Sequence, residues 1–146
     1  LKYLDERKKL PTEEIREKLY YGSLYAGITL SYCGTAFPHP LGYVLTENYG
    51  TLHGTACAAF MPELMEKAEM YEKEKLNKIL NITGETLEGF INTITSLTDL
   101  SGINMTEEEI KAYCERWTEA IPNNFKFSPG GYTREEAEKA LKGGAE

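Results

Sequence analysis

The chain has 146 residues, 41 % of them hydrophobic and 27 % charged, a composition that suits one globular domain able to bury a core. A net charge of −7 argues against a nucleic-acid surface of clustered Lys and Arg, and there is neither a long apolar run nor a signal-peptide pattern to support membrane insertion or export. The three cysteines, Cys33, Cys57 and Cys114, have no short metal-binding spacing and leave an odd one over, which points to reduced thiols and a cytoplasmic setting.

In chain order the elements read as helices. Thr12 after Pro11 is a good N-cap, Glu13 and Glu14 suit a first turn, and Ile15, Leu19, Leu24 and Ile28 keep a helical stripe to about Cys33. Gly22 and Gly27 in that stripe are expected to admit a close neighbour. Pro38 and Pro40 pre-set the first turn of a second helix, Gly50 breaks it, and a third opens around His53, where Gly54 gives room for close approach. The apolar run from Ala56 to Met61 reads as a buried helix continuing past Pro62 with a kink. Helices over Tyr71 to Leu80 and Glu85 to Leu97 come next, with Asn81-Ile82-Thr83-Gly84 as the loop between them. Two capping boxes, Thr106-Glu107-Glu108-Glu109 and Thr133-Arg134-Glu135-Glu136, start the last two helices. The irregular stretch between those is expected to be pinned by Phe125, Phe127 and Tyr132. Strand-like alternation is lacking, so the fold class is an all-α bundle.

Chemistry concentrates around the chain's two histidines, His39 and His53, fourteen positions apart. Neutral imidazole is the commonest protein ligand for divalent transition metals, but such sites usually need three or four donors. The pair therefore reads as half of a metal site. On spacing alone it also reads as two ordinary histidines, one near the surface and one capping. A helix N-terminus at His53 would disfavour the imidazolium and keep the ring in its ligand form. Cys57, one turn after His53, reads as a packed small residue rather than a ligand.

Ala26-Gly27-Ile28, Phe37-Pro38-His39-Pro40-Leu41-Gly42-Tyr43 and Leu52-His53-Gly54-Thr55-Ala56-Cys57-Ala58-Ala59-Phe60-Met61-Pro62 together resemble a signature of the iron-containing (group III) alcohol dehydrogenases. The likeness spans about forty residues. It implies that His39 and His53 fall on the third and fourth metal ligands of a family in which an Asp and three His hold iron, or zinc in some members, beside NAD or NADP. It implies also an all-α C-terminal metal-binding domain for residues 1–146, acting on a small alcohol or its aldehyde.

Two positions depart from the family pattern. Tyr43 replaces an intermediate histidine that lies near nicotinamide and substrate, and Leu52 replaces the Pro before the second ligand. A phenol donates a hydrogen bond but titrates near pH 10 unless perturbed. Tyr43, one turn from His39, is accordingly the candidate for a catalytic proton-handling or pocket-lining role, against plain packing, and Phe37 for an apolar wall of the substrate pocket. The family's glycine-rich phosphate loop and its Asp and His pair are not found here, and the chain opens on Leu1 rather than Met. A C-terminal piece of a longer enzyme is expected, inactive by itself, whose partners are the missing N-terminal nucleotide-binding domain and, as one option the sequence leaves open, further copies in a homo-oligomer. The alternatives are a fragment of a polyol dehydrogenase or dehydroquinate-synthase-like enzyme, which place their histidines at other spacings, and a free-standing helical interaction module.

Overall fold

The computed structural model describes residues 11–98, 100 and 102–143, and among them nine helices and no strand. Leu1, on which the expectation about the chain's beginning rests, lies outside the described residues. The chain divides into two compact units, Leu1–Thr35 and Ala36–Glu146. In the first, Thr12 caps α1 (Glu13–Cys33) by accepting the Ile15 N–H at 3.3 Å, with Glu13 and Glu14 at the positive end of the helix. No residue of α1 is buried, and Leu19, Leu24 and Ile28 of its apolar stripe are exposed. A Cβ added at Gly22 or Gly27 would meet nothing within 4 Å, so the close neighbour expected there is not found among the described residues.

The second unit carries α2 (Pro38–Tyr49), α3 (His53–Ala58), α4 (Met61–Tyr71), α5 (Lys73–Thr83), α6 (Leu87–Leu97), α7 (Glu107–Glu115), α8 (Asn123–Lys126) and α9 (Arg134–Gly143). As the prolines require, α2 begins at Pro38, where a missing N–H is harmless because no carbonyl precedes it in the helix. It ends at Gly50, whose φ of 67° is the left-handed conformation that side chains resist. The brief connection Gly50-Thr51-Leu52 then reverses the chain into α3.

Three boundaries differ from the expectation drawn from sequence. The helix over Ala56–Met61 does not kink through Pro62 but stops at Ala58, and Pro62 lies in the first turn of α4. A proline inside a continuous helix would press on the carbonyl four residues back, here that of Ala58, and the chain breaks instead. Glu72, at φ −138° and ψ 36°, splits the segment expected to run from Tyr71 to Leu80. The expected loop at 81–84 is helical through Thr83, and only Gly84, at φ 70°, leaves the helix. Thr83 Oγ1 donates back to the Ile79 carbonyl at 3.0 Å, so its hydroxyl is satisfied within the helix rather than competing with it.

Both capping boxes form. Thr106 Oγ1 accepts the Glu109 N–H while the Glu109 carboxylate accepts the Thr106 N–H, and Thr133 and Glu136 do the same for α9. The core gathers Leu41 and Leu45 of α2, Ile110 of α7, Leu141 of α9 and an aromatic group from the C-terminal stretch. In that group Phe37 stacks on Tyr132, Phe125 meets Tyr132 edge-on at 5.0 Å, and Trp117 lies 5.0 Å from Phe125. Phe125 and Tyr132 thus pin the irregular connection as expected, whereas Phe127 is 74 % exposed and does not. Just before α2 the Phe37 N–H donates to Ser128 Oγ at 3.0 Å, and Ser128 Oγ donates to the Asn124 carbonyl at 2.6 Å. The end of the chain therefore holds the start of the helix that bears His39. Among the described residues no helix is long and apolar enough to cross a membrane.

Candidate metal centre

Helix α2 has two working faces. Pro38, Leu41, Val44 and Leu45 are buried, while His39, Tyr43 and Thr46 follow one another at spacings of four and three along a separate stripe. Helix α3 packs beside that stripe because Gly42 permits it. A Cβ at Gly42 would stand 2.6 Å from Cys57 Sγ and 3.0 Å from the Cys57 amide nitrogen, a separation that real side chains do not tolerate. The close approach in this hairpin is thus made by Gly42, not by Gly54, at which a Cβ would meet nothing within 4 Å.

This packing brings the two histidines together. His39 Nε2 and His53 Nε2 are 3.3 Å apart, with the rings near perpendicular at 89°. Two nitrogens each about 2.0–2.1 Å from one tetrahedral ion would stand roughly 3.3–3.4 Å apart, so the pair fits two corners of such a site. Burial, followed by the neighbouring imidazole of His53, holds His39 below its usual value and so favours the neutral form that can bind metal. Among the described residues no group of three or more His, Cys, Asp or Glu is placed to hold an ion. The fit is that of a half-site.

Tyr43 completes a cluster of three rings, its centroid 4.8 Å from His39 and 4.8 Å from His53, and it remains 43 % exposed. Phe37 is elsewhere. Its ring is 0 % exposed and stacked on Tyr132, so the pocket wall expected of it is a core residue with no surface left for a substrate. Cys57 Sγ lies 3.6 Å from His53 Nε2 and 3.9 Å from Nδ1, nearly equal distances that put the sulfur off both lone-pair axes. Burial also pushes its thiol up, towards the protonated form. It packs, as expected of it, against Gly42.

Sequence reasoning overlooked two residues here. Thr46 Oγ1 stands 3.3 Å from His53 Nδ1, and its signal was its position seven residues after His39, on the same stripe. The signals at Gly42 were its place in the segment that carries the family resemblance and its being a glycine inside a helix, where one usually has a packing reason.

The chain has counterparts among known proteins. The model of the Fe-containing alcohol dehydrogenase family, C-terminal, matches residues 2–136, and the chain belongs to that family. The 4-hydroxybutyrate dehydrogenase of Clostridium kluyveri is 28 % identical over 131 residues, which cover 77 % of this chain and 35 % of that protein. An iron-containing alcohol dehydrogenase of Thermotoga maritima superposes with a TM-score of 0.71 at 26 % identity, over 92 % of this chain and 36 % of its own. A second iron-containing alcohol dehydrogenase gives 0.70 at 27 % identity, over 92 % of this chain and again 36 % of its own. The chain spans about a third of the length of these relatives.

Proposed function

We propose that this chain is the metal-binding part of an NAD(P)-linked dehydrogenase that interconverts a small alcohol and its aldehyde or ketone. The observation that carries the reading is the 3.3 Å separation of His39 Nε2 and His53 Nε2, two donors presented to one point by one hairpin. A divalent ion, iron or in some settings zinc, would be held in part by these two rings and would supply Lewis acidity at a substrate oxygen. The hydride belongs to the nicotinamide, bound by residues outside this chain. What this chain contributes is the orientation of the two rings and a phenol beside them. Tyr43, exposed and touching both rings, is the group we assign to donating a hydrogen bond to the substrate oxygen. With two donors of the expected four, the chain alone binds metal weakly and does not turn over an alcohol. Since the Clostridium kluyveri relative is a dehydrogenase of 4-hydroxybutyrate, short hydroxy acids are the first alcohols to assay.

The test is zinc titration of the 146-residue chain beside His39→Ala and His53→Ala, followed by isothermal calorimetry. One weak site lost in both variants supports the reading. Binding unchanged by either substitution removes the histidine pair as a metal half-site.

A further inference from the structure

His53 is held at both nitrogens, Nε2 facing His39 Nε2 at 3.3 Å and Nδ1 facing Thr46 Oγ1 at 3.3 Å. A neutral imidazole carries its proton on one nitrogen and a lone pair on the other, so whatever engages Nδ1 decides what Nε2 can do. The remaining neighbours of the ring do not decide it. Tyr43 lies against it at a tilt of 36°, and the Cys57 sulfur is off both lone-pair axes.

We infer that Thr46 is a positioning residue: its hydroxyl oxygen accepts the Nδ1–H of His53, which leaves Nε2 bare and aimed at the point that His39 Nε2 also faces. The inference rests on the metal reading above and adds to it the residue that selects the ligating nitrogen. A ligand histidine whose second nitrogen donates to a fixed acceptor keeps one tautomer and one ring orientation, and loss of such an acceptor typically weakens metal binding ten- to a hundredfold. Thr46 can serve because it shares the α2 stripe with His39 and Tyr43 and is itself half-buried, so the helix that supplies one ligand also orients the other. If instead the hydroxyl donated to Nδ1, His53 would carry its proton on Nε2, directed at the His39 nitrogen, and the pair would be a hydrogen bond rather than two ligands.

The experiment uses the full 146-residue chain, its Thr46→Val and Thr46→Ser variants, and His39→Ala. Two measurements are made at one pH where both rings are neutral: the His53 tautomer from ring 15N shifts, and the zinc dissociation constant. The Nδ1–H tautomer is expected in the parent and in Thr46→Ser. Valine matches the shape of threonine without its hydroxyl, and Thr46→Val is expected to lose that tautomer preference and to bind zinc about tenfold more weakly. An Nε2–H tautomer in the parent, or Thr46→Val unchanged in both readouts, overturns the inference while leaving the metal reading intact if His39→Ala still weakens zinc. If His39→Ala leaves zinc binding as it was, the metal reading itself fails and takes this inference with it.

Discussion

The ring of Phe37 lies parallel to that of Tyr132, with centroids 3.8 Å apart. It is two residues from a proposed metal ligand and ninety-five from its stacking partner, so the helix that presents His39 is anchored by the far end of the chain. Tyr132→Ala should cost about 3–5 kcal/mol in urea unfolding and weaken zinc binding as well, because the start of α2 loses its support. Tyr132→Phe keeps the stack but removes the hydroxyl that donates to both oxygens of Glu63, at 3.0 and 3.1 Å, and should cost about 1–3 kcal/mol with zinc binding retained. Equal loss of zinc binding in both variants would show that the stack does not hold the ligand helix.

Gly42→Ala should separate α2 from α3, since the new methyl would stand 2.6 Å from Cys57 Sγ and 3.0 Å from backbone. A destabilisation of about 1–3 kcal/mol is expected, as for overpacking elsewhere. Adding Cys57→Ala removes the sulfur clash but not the backbone one, so the double variant should recover only part of the loss. Full recovery in urea melts would mean that the thiol alone limits the approach.

Glu63 gives the fold a pH dependence. Burial, chiefly, and then the nearby charges of Glu136 and Glu66 raise it above its ordinary 4.5, against the opposing hydrogen bond from Tyr132 and the charge of Lys67. A carboxyl that holds its proton more tightly folded than unfolded stabilises the fold fully below 4.5, and that contribution disappears as pH rises through the raised value. The stability of the parent relative to Glu63→Gln should therefore fall as pH rises from below 4.5 through the raised value. A difference that is flat or rises over that interval would contradict the assignment.

Much of this was legible in the sequence because local chemistry dictated it. Thr12, Thr106 and Thr133 each announced a helix start through a side chain that can serve only a few neighbouring amides, and Pro38 with Gly50 bracketed α2 by backbone constraint alone. The convergence of His39 and His53 followed from the same brackets. What could not be read depended on contacts distant in sequence. Phe37 looked like a pocket residue because it lies beside the proposed ligand His39, and only Tyr132 and Ser128, more than ninety residues on, turn it into the core. The break before α4 follows from Pro62, which reads in the sequence as a kink, whereas the break at Glu72 falls on no residue that forbids a helix.

Thr106→Ala removes one hydroxyl from an exposed helix start and should cost about 1 kcal/mol, with Thr133→Ala similar. The two sites share no hydrogen bond, so the double variant should lose the sum to within about 0.5 kcal/mol in urea. Zinc binding should not change. A coupling well beyond that margin would show that α7 and α9 stabilise each other through their starts.

Tyr43→Phe keeps the ring that packs on both imidazoles and should alter stability by no more than about 0.5 kcal/mol. In the longer enzyme proposed above, turnover should fall while metal content stays as it was, if the phenol serves the substrate. Metal lost together with activity would reassign Tyr43 to holding the site.

The hairpin of α2, Gly50 and α3 also has a kinetic meaning. Its donor nitrogens meet across only fourteen residues, whereas their support from Tyr132 requires most of the chain to have found its place. A loop of about ten residues closes in roughly 10–100 ns, long before distant segments of a domain have docked. During folding the histidines can therefore visit one another early and often, and an ion arriving then would staple the hairpin while the remainder is still searching. If the pair takes an ion as proposed, metal in the refolding buffer becomes a folding variable.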